Sequence, residues 1–580
     1  MKIRAHGWVQ NPSSFSNLKK VVSIFEPNSP HYSKLEQLIS ELIYLEEDKD
    51  ILLDKLRSGV SVFTYFELVG GNKDKFGNHT KKRSQQIADS LIKISILPQN
   101  YSTSGKRYTD SWTSDGFLRW AVSLNFVEAD REKDTFKITN LGREFIHTID
   151  ESDEEKEVMR KALLAYPPAT SVLNILREAE NYVNKFYIGE RLGFTGEKGF
   201  STYGSSTMNQ WLLNAENKKE FKSIKSDLEG TSDKYARMIC TWLIKVGFVE
   251  KREVSIKSIY GRSGFPEYKI TVRGLHALNQ SQGSSKNKRI QKHLLWEFLA
   301  TKVENANYVR TRRGYILKAL QKSSSFQRVL DTLRGQGFQD DEAVIRKDIE
   351  GLIQFGIRIK IEGIKVTLLD DIVDFTIPNI PFTKQIKDKY LEDLKLELYK
   401  KTNLPNKYYE MVDIAYDGKR NREFEIYTSD LMQEIYGFKT TLLGGTRKPD
   451  VVSYSDAHGY IIDTKAYANG YRKEIKQEDE MVRYIEDNQL KDVLRNPNKW
   501  WECFDDAEHK KEYYFLWISS KFVGEFSSQL QDTSRRTGIK GGAVNIVQLL
   551  LGAHLVYSGE ISKDQFAAYM NNTEINFEGA

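Results

Sequence analysis

The spacing of apolar positions picks out two segments in the first half of the chain that carry the same pattern. The first runs WAVSLNFVE from Trp120 to Glu128 and then FKITNLG from Phe136 to Gly142; the second runs WLIKVGFVE from Trp242 to Glu250 and then YKITVRG from Tyr268 to Gly274. In each, apolar positions at helical spacing stop at Asn or Gly and a short extended run follows. A polar turn then leads to a second run ending in Lys-Ile-Thr, before another helix starts. The pattern predicts a helix followed by a two-stranded wing. A third, weaker copy, IRKDIEGLIQFGIRIKIEGIKVTLL from Ile345 to Leu369, has Glu362-Gly363 between two alternating runs, which predicts a hairpin turn. Three winged-helix-like modules in a row are expected. Helix-turn-helix relatives of this kind place one helix in the DNA major groove, although others serve only as protein contacts.

Punctuation separates the modules. NQSQGSSKNKR from Asn279 to Arg289 is polar and rich in breakers, and TIPNIPFTK from Thr376 to Lys384 carries Pro378 and Pro381. Cuts placed there give units over residues 1–158, 159–285 and 286–378, a linker over 379–390, and a final unit over 391–580. Length agrees, since a chain of 580 residues outgrows one hydrophobic core.

After the last linker the pattern changes, and LLGGTRKPDVVSYSDAHGYIIDTKAYANG sets two extended runs around a turn. Pro449-Asp450 opens the first run and Asp463-x-Lys465 closes the second, so the two carboxylates sit on neighbouring strands of a hairpin. Side chains two apart on a strand face the same way, which puts Lys465 beside Asp463. Two carboxylates and a main-chain carbonyl suit Mg²⁺, and a lysine beside metal and phosphate can position the attacking water and offset negative charge. The chemistry indicated is metal-assisted phosphodiester hydrolysis, with Asp450, Asp463 and Lys465 as its centre. The bare pattern is short enough to arise by chance. Its place after a β-rich run, and the Arg447-Lys448 pair just ahead of the only Pro-Asp in the chain, weigh against an ordinary charged hairpin.

Composition narrows the classes further. With 39% hydrophobic, 29% charged and 12% aromatic residues the chain is globular rather than disordered. No stretch nears the roughly 18 apolar residues of a membrane span, and MKIRAHGWVQNP has no apolar signal core, so a protein that stays in the cytoplasm is expected. Cys240 and Cys503, the only cysteines, exclude a disulfide framework and a cysteine-based zinc site. The nine histidines show neither HExxH nor HxH spacing, which leaves carboxylates as ligands and makes any metal a hard one. A formal charge of +6 suits a polyanionic partner but decides little alone.

Motifs spread along the chain together resemble the FokI-like type IIS restriction endonucleases. They are GWVQNP (Gly7 to Pro12), SDGFLRW (Ser114 to Trp120), YPPA (Tyr166 to Ala169), SDKYARM (Ser232 to Met238), YVRTRR (Tyr308 to Arg313), RKPD (Arg447 to Asp450), IDTKAY (Ile462 to Tyr467) and DEMVRY (Asp479 to Tyr484). The resemblance implies a multi-domain α+β protein: three helix-turn-helix or winged-helix-like DNA-recognition subdomains, then an α/β PD-(D/E)xK nuclease domain. It implies Asp450 and Asp463 as ligands of Mg²⁺, with Mn²⁺ able to substitute, and Lys465 as third catalytic residue. Glu425 falls where nucleases of this class place a supporting acid, and a solvated helix charge is the alternative there. Asn11, Trp112, Glu229, Lys234 and Arg237 match the family's base-reading positions. Their chemistry suits a mixed site, because Lys and Arg donate to guanine, Asn suits adenine and Glu accepts from cytosine; plain phosphate contact is the lesser alternative for Lys234 and Arg237.

The same resemblance implies recognition of 5′-GGATG and cleavage of both strands at a fixed distance outside it. One active site cuts one strand, so a second copy of the chain is expected to pair through Asp479 and Arg483, whose i,i+4 spacing also permits a bond within their own helix. A separate, cognate DNA methyltransferase in a bacterial host is implied. Two rivals remain open at this point: a structure-specific PD-(D/E)xK repair or junction nuclease, and a winged-helix regulator carrying a dead nuclease domain.

Overall fold

The structure, a computed structural model, describes all residues except 1–12, 98–104, 216, 228, 259, 284–285, 301–304, 383, 385–387, 473, 506–510 and 578–580. Each expected module is present as a helix and a wing. In the first, α1 (Ser111–Ser123) starts where Asp110 accepts a hydrogen bond from the Thr113 N–H at 2.8 Å. Antiparallel strands β1 (Val127–Asp130) and β2 (Thr135–Ile138) follow. The second module contains α2 (Ser205–Leu213), α3 (Thr231–Lys245) and the long hairpin β3 (Val249–Ser258) and β4 (Gly261–Ile270). The third contains α4 (Ala306–Lys322), α5 (Glu342–Phe355), β5 (Ile359–Glu362) and β6 (Lys365–Leu368). Its hairpin turns at Gly363, whose φ of +63° is the left-handed conformation that glycine adopts without strain.

The repeat also makes a contact. Trp120 and Trp242, equivalent positions of the first two modules, stack with ring centroids 4.9 Å apart and 15° between planes, and neither is exposed. They lie inside one continuous apolar core that runs through all three modules. The segment expected to be a linker is partly anchored to this body, with Phe382 stacked on Phe338 at 5.0 Å.

The C-terminal unit begins with α6 (Lys389–Lys401) and α7 (Asn421–Glu434) and then builds a six-stranded sheet. Its elements are β7 (Lys439–Leu442), β8 (Val451–Tyr454), β9 (His458–Lys465), α8 (Ile475–Leu490), β10 (Glu512–Ser519), α9 (Phe526–Thr537), β11 (Gly541–Asn545), α10 (Ile546–Tyr557) and β12 (Thr573–Glu574). The sheet order is β12-β11-β10-β9-β8-β7, antiparallel through β7, β8 and β9 and parallel from β9 onward. Both faces are covered, so the central strands are apolar on both sides. On β10, Tyr514, Leu516 and Ile518 enter one core with α7 and α10, while Phe515 and Trp517 enter the other with α8 and α9.

The first of those two cores crosses into the second module. Met208 and Leu212 of α2, together with Phe221, Ile224 and Phe265, pack in the same apolar cluster as Met411, Tyr427 and Leu431 of the C-terminal unit. Polar contacts line this junction. Asp430 of α7 accepts from the Gly204 N–H at 2.6 Å, and Lys407 bridges Glu434 at 2.6 Å and Glu190 at 3.6 Å. The C-terminal unit is therefore docked on the second module rather than suspended from a tether.

Candidate active site

The hairpin predicted around the two acids forms from β8 and β9. Val451 pairs with Ile462, so Asp450, one residue before β8, lies across from Asp463. Asp450 is held in place by its neighbour strand: its Oδ2 accepts from the Thr464 N–H at 2.7 Å and from the Thr464 hydroxyl at 3.0 Å. The loop ahead of it is tied back by Leu443 N–H to Asp450 carbonyl at 2.8 Å. Asp463 and Lys465 face the same way on β9, as strand periodicity requires, with Nζ 2.6 Å from Asp463 Oδ2. Of the two basic residues ahead of Asp450, Arg447 is exposed and Lys448 is buried.

Electrostatics mark the cluster as incomplete. Burial first, and the negative charge of Asp450 second, push the Asp463 carboxyl up to about 8 against the pull of Lys465. For Lys465, burial acts downward, but Asp463 and Asp450 outweigh it and hold the ammonium above its usual value. Two carboxylates close enough to hydrogen-bond each other, with one lysine paired to Asp463, suit a further cation. Their oxygens are the donor chemistry of Mg²⁺ rather than of a soft metal, so the residues fit that ion with waters and a main-chain carbonyl completing its shell. Among the described residues no three His, Cys, Asp or Glu side chains converge as a metal cage.

Glu425, the expected supporting acid, stands on α7 close enough for the Asp450 charge to act on it. Burial foremost, then Asp450, pushes its carboxyl up to about 7, while Arg422 and Lys465 pull the other way. It ion-pairs with Arg422, one turn back on the same helix. A solvated surface charge is thereby excluded, because Glu425 is largely buried.

Family models match the chain in consecutive blocks: FokI, recognition domain, subdomain 1 over residues 4–148; FokI, recognition domain, subdomain 2 over 155–285; FokI, D3 domain over 299–364; and FokI, cleavage domain over 385–576. Type II restriction enzyme FokI of Planomicrobium okeanokoites is 37% identical across 99% of this chain and 100% of its own length. The chain belongs to the FokI family of type II restriction enzymes. Type II restriction enzyme StsI of Streptococcus sanguinis is 30% identical over 97% of this chain and 94% of its own. A solved structure of restriction endonuclease FokI superposes with a TM-score of 0.80 at 36% identity, and that of FokI bound to DNA with 0.81 at 37%; each alignment covers 99% of this chain and all of the other.

Within this FokI-family fold the remaining predicted residues are dispersed. Trp112 is 56% exposed near the start of α1, with the Arg83 guanidinium 5.3 Å from its ring. Lys234 and Arg237 point outward from α3, one turn apart. Glu229, two residues ahead of α3, is held by Arg237 at 3.4 Å and by the buried Lys185. Sequence reasoning missed Lys185, which no spacing rule links to Glu229. Asn11 lies outside the described residues. Asp479 and Arg483 share α8, but Asp479 bonds Arg536 of α9 at 2.8 Å, and the Arg483 guanidinium sits 5.5 Å from the Tyr484 ring.

Proposed function

We propose that this chain is a type IIS restriction endonuclease. It binds a short asymmetric duplex site, 5′-GGATG-3′, through residues 1–378. It hydrolyses both strands at a fixed distance outside that site through residues 391–580, joined by the linker 379–390. The observation that carries the proposal is the convergence of Asp450, Asp463 and Lys465 on one end of a buried hairpin. Similarity to FokI over the whole chain, and to a structure of FokI bound to DNA, supports duplex DNA as the substrate.

Asp450 and Asp463 are the residues that hold Mg²⁺, with Mn²⁺ as a substitute. Held there, the cation would supply Lewis-acid stabilisation of the negative charge that develops on the phosphate and the leaving 3′ oxygen. Thr464 fixes Asp450 from the strand backbone. Lys465, oriented by Asp463, positions the attacking water and offsets the charge that develops in the transition state. Glu425 acts as a supporting acid from α7.

On the recognition side, Lys234 and Arg237 donate to guanine edges from the outer face of α3, Glu229 accepts from cytosine, Asn11 pairs with adenine, and Trp112 packs on the DNA from α1. The nuclease leaves its docked position to reach the cut site. A second copy, paired through Asp479 and Arg483, supplies the other active site, and a separate methyltransferase protects host DNA in the bacterial cytoplasm. Mapping cut positions on a random duplex library with Mg²⁺ tests the proposal. A single asymmetric motif with constant offsets is expected; cuts without a motif, or preference for a branched junction over linear duplex, would overturn it.

A further inference from the structure

The recognition half reaches the Arg422–Glu425 turn of α7 through an aromatic residue. Trp211, in the last turn of α2, lies with its ring centroid 4.2 Å from the Arg422 guanidinium carbon. Arg422 in turn ion-pairs with Glu425. The pair fills the space above the loop that delivers Asp450: a Cβ built on Gly444 would run into the Arg422 guanidinium and come within 3.0 Å of the Glu425 carboxylate. Gly444 itself is tied across that loop by its N–H to the Pro449 carbonyl at 3.1 Å.

Glu425 is thus an acid at the catalytic centre whose charge is already answered. Asp450 and Asp463 face each other across the hairpin, but no third carboxylate closes on them among the described residues. What withholds Glu425 is an arginine that a residue of another module covers. A guanidinium over an indole face is held more firmly than one in water, and an i,i+3 ion pair left exposed is weak. With Trp211 over one face of the guanidinium the Arg422–Glu425 pair is partly shielded, Glu425 more than Arg422; uncovered, it becomes an ordinary surface pair that a divalent cation can break.

We propose that Trp211 and Arg422 are positioning residues that keep Glu425 off the metal site while the nuclease is docked, so that release of α2 completes the site as well as freeing the domain. The junction is suited to release, because buried polar atoms there, Trp211 Nε1, Gln210 Oε1 and Gln433 Oε1, have no hydrogen-bond partner among the described residues. This inference rests on Glu425 being the supporting acid.

The test is a calorimetric titration of the full chain with Mg²⁺ in the absence of DNA. Trp211→Ala should tighten Mg²⁺ binding by about five-fold, the scale of a lost cation–π contact. Trp211→Phe, which keeps an aromatic face, should bind as the parent does. Ser206→Ala, which removes the Ser206–Gln433 hydrogen bond of the same junction without touching Arg422, should also match the parent. The gain should vanish in Trp211→Ala combined with Glu425→Gln. Equal tightening by Ser206→Ala in a chain whose radius of gyration shows the nuclease still docked would overturn the proposal, because Trp211 would then still cover Arg422. No gain in Trp211→Ala, with cleavage still sensitive to Glu425→Gln, would overturn it while leaving the Glu425 reading intact. A gain that survives Glu425→Gln would overturn that reading instead.

Discussion

Two clusters of carboxylates around a single lysine lie at the two ends of α7. At one end Asp450 and Asp463 share Lys465; at the other Glu190, Asp430 and Glu434 share Lys407. In each, burial pushes one acid up to about 8, Asp463 in the first and Glu190 in the second. By residue type and burial they are alike, and what separates them is the source of the compensating groups. The docking cluster is answered from within the chain, by the Gly204 N–H on Asp430 and the Tyr408 hydroxyl on Glu434 at 2.8 Å, and it spans two units. The Asp450–Asp463 cluster is faced among the described residues by Thr464 and Lys465 and lies within one hairpin, and in the proposed function a cation and a phosphate from outside answer the rest of its charge. A perturbed carboxylate therefore points to chemistry only where the protein has not already supplied the counter-charge.

Substitutions that act on one cluster and spare the other sharpen this contrast. The largest effect is expected from Lys465→Ala, which should lower single-turnover cleavage by about 10²–10³-fold, the scale of losing one transition-state donor. A parent-like rate would remove Lys465 from the mechanism. On α8, Asp479→Arg and Arg483→Asp should each lose double-strand cutting on a plasmid and regain it when mixed. Full cutting by either alone would discard the pairing, and Asp479 would then be only the partner of Arg536.

In the docking cluster, Lys407→Met leaves Glu434 and Asp430 without their cation, at a cost of about 3 kcal/mol for a broken buried pair. The chain should open, seen as a larger radius of gyration by small-angle scattering, while site-bound cleavage persists. An unchanged radius would show that the apolar junction alone holds the nuclease.

The smallest effect is that of pH. Glu190 keeps its proton when docked, up to about pH 8, because burial foremost and then its acidic neighbours raise it, against Lys407 and Arg191. Asp430 is raised to about 6 in the same sense. A raised carboxyl supports docking fully below its free value, near 4.5 for glutamate, and loses that support as pH rises through the docked value. Glu434 works oppositely: burial raises it, but Lys407 and Tyr408 hold it below its ordinary range, so the stability it contributes is present at neutral pH and is lost only in acid. Docking should weaken between pH 6 and 8 by at most about tenfold per pH unit for one proton. Scattering profiles across that range check it, and tighter docking at pH 8 would contradict the assignment of Glu190.

Much of this was legible from residue spacing alone. The wings, their Gly and Asn helix ends and the hairpin that brings Asp450 to Asp463 are local consequences of period and turn chemistry, and local patterns survive in a linear reading. The docked arrangement was not legible. Met208, Leu212 and Phe221 have the same helical spacing whether they fill their own module or, as here, the C-terminal unit. Lys185 under Glu229, Arg536 on Asp479 and Trp211 over Arg422 are contacts between elements far apart in the chain, which no periodicity encodes. Glu425 lay between the two cases: its position on α7 suggested an acid near the centre, but only the three-dimensional contacts show Arg422 holding it.

The central claim is that sequence choice and bond cleavage reside in separate residues, with Asp463 on the cleavage side alone. Asp463→Ala separates them most directly, in one titration of a duplex carrying 5′-GGATG with binding and nicking measured on the same samples in Mg²⁺. The account predicts affinity for the site equal to the parent and no nicking of either strand. Residual Mg²⁺-dependent nicking, or a loss of site affinity matching the loss of cleavage, would contradict it.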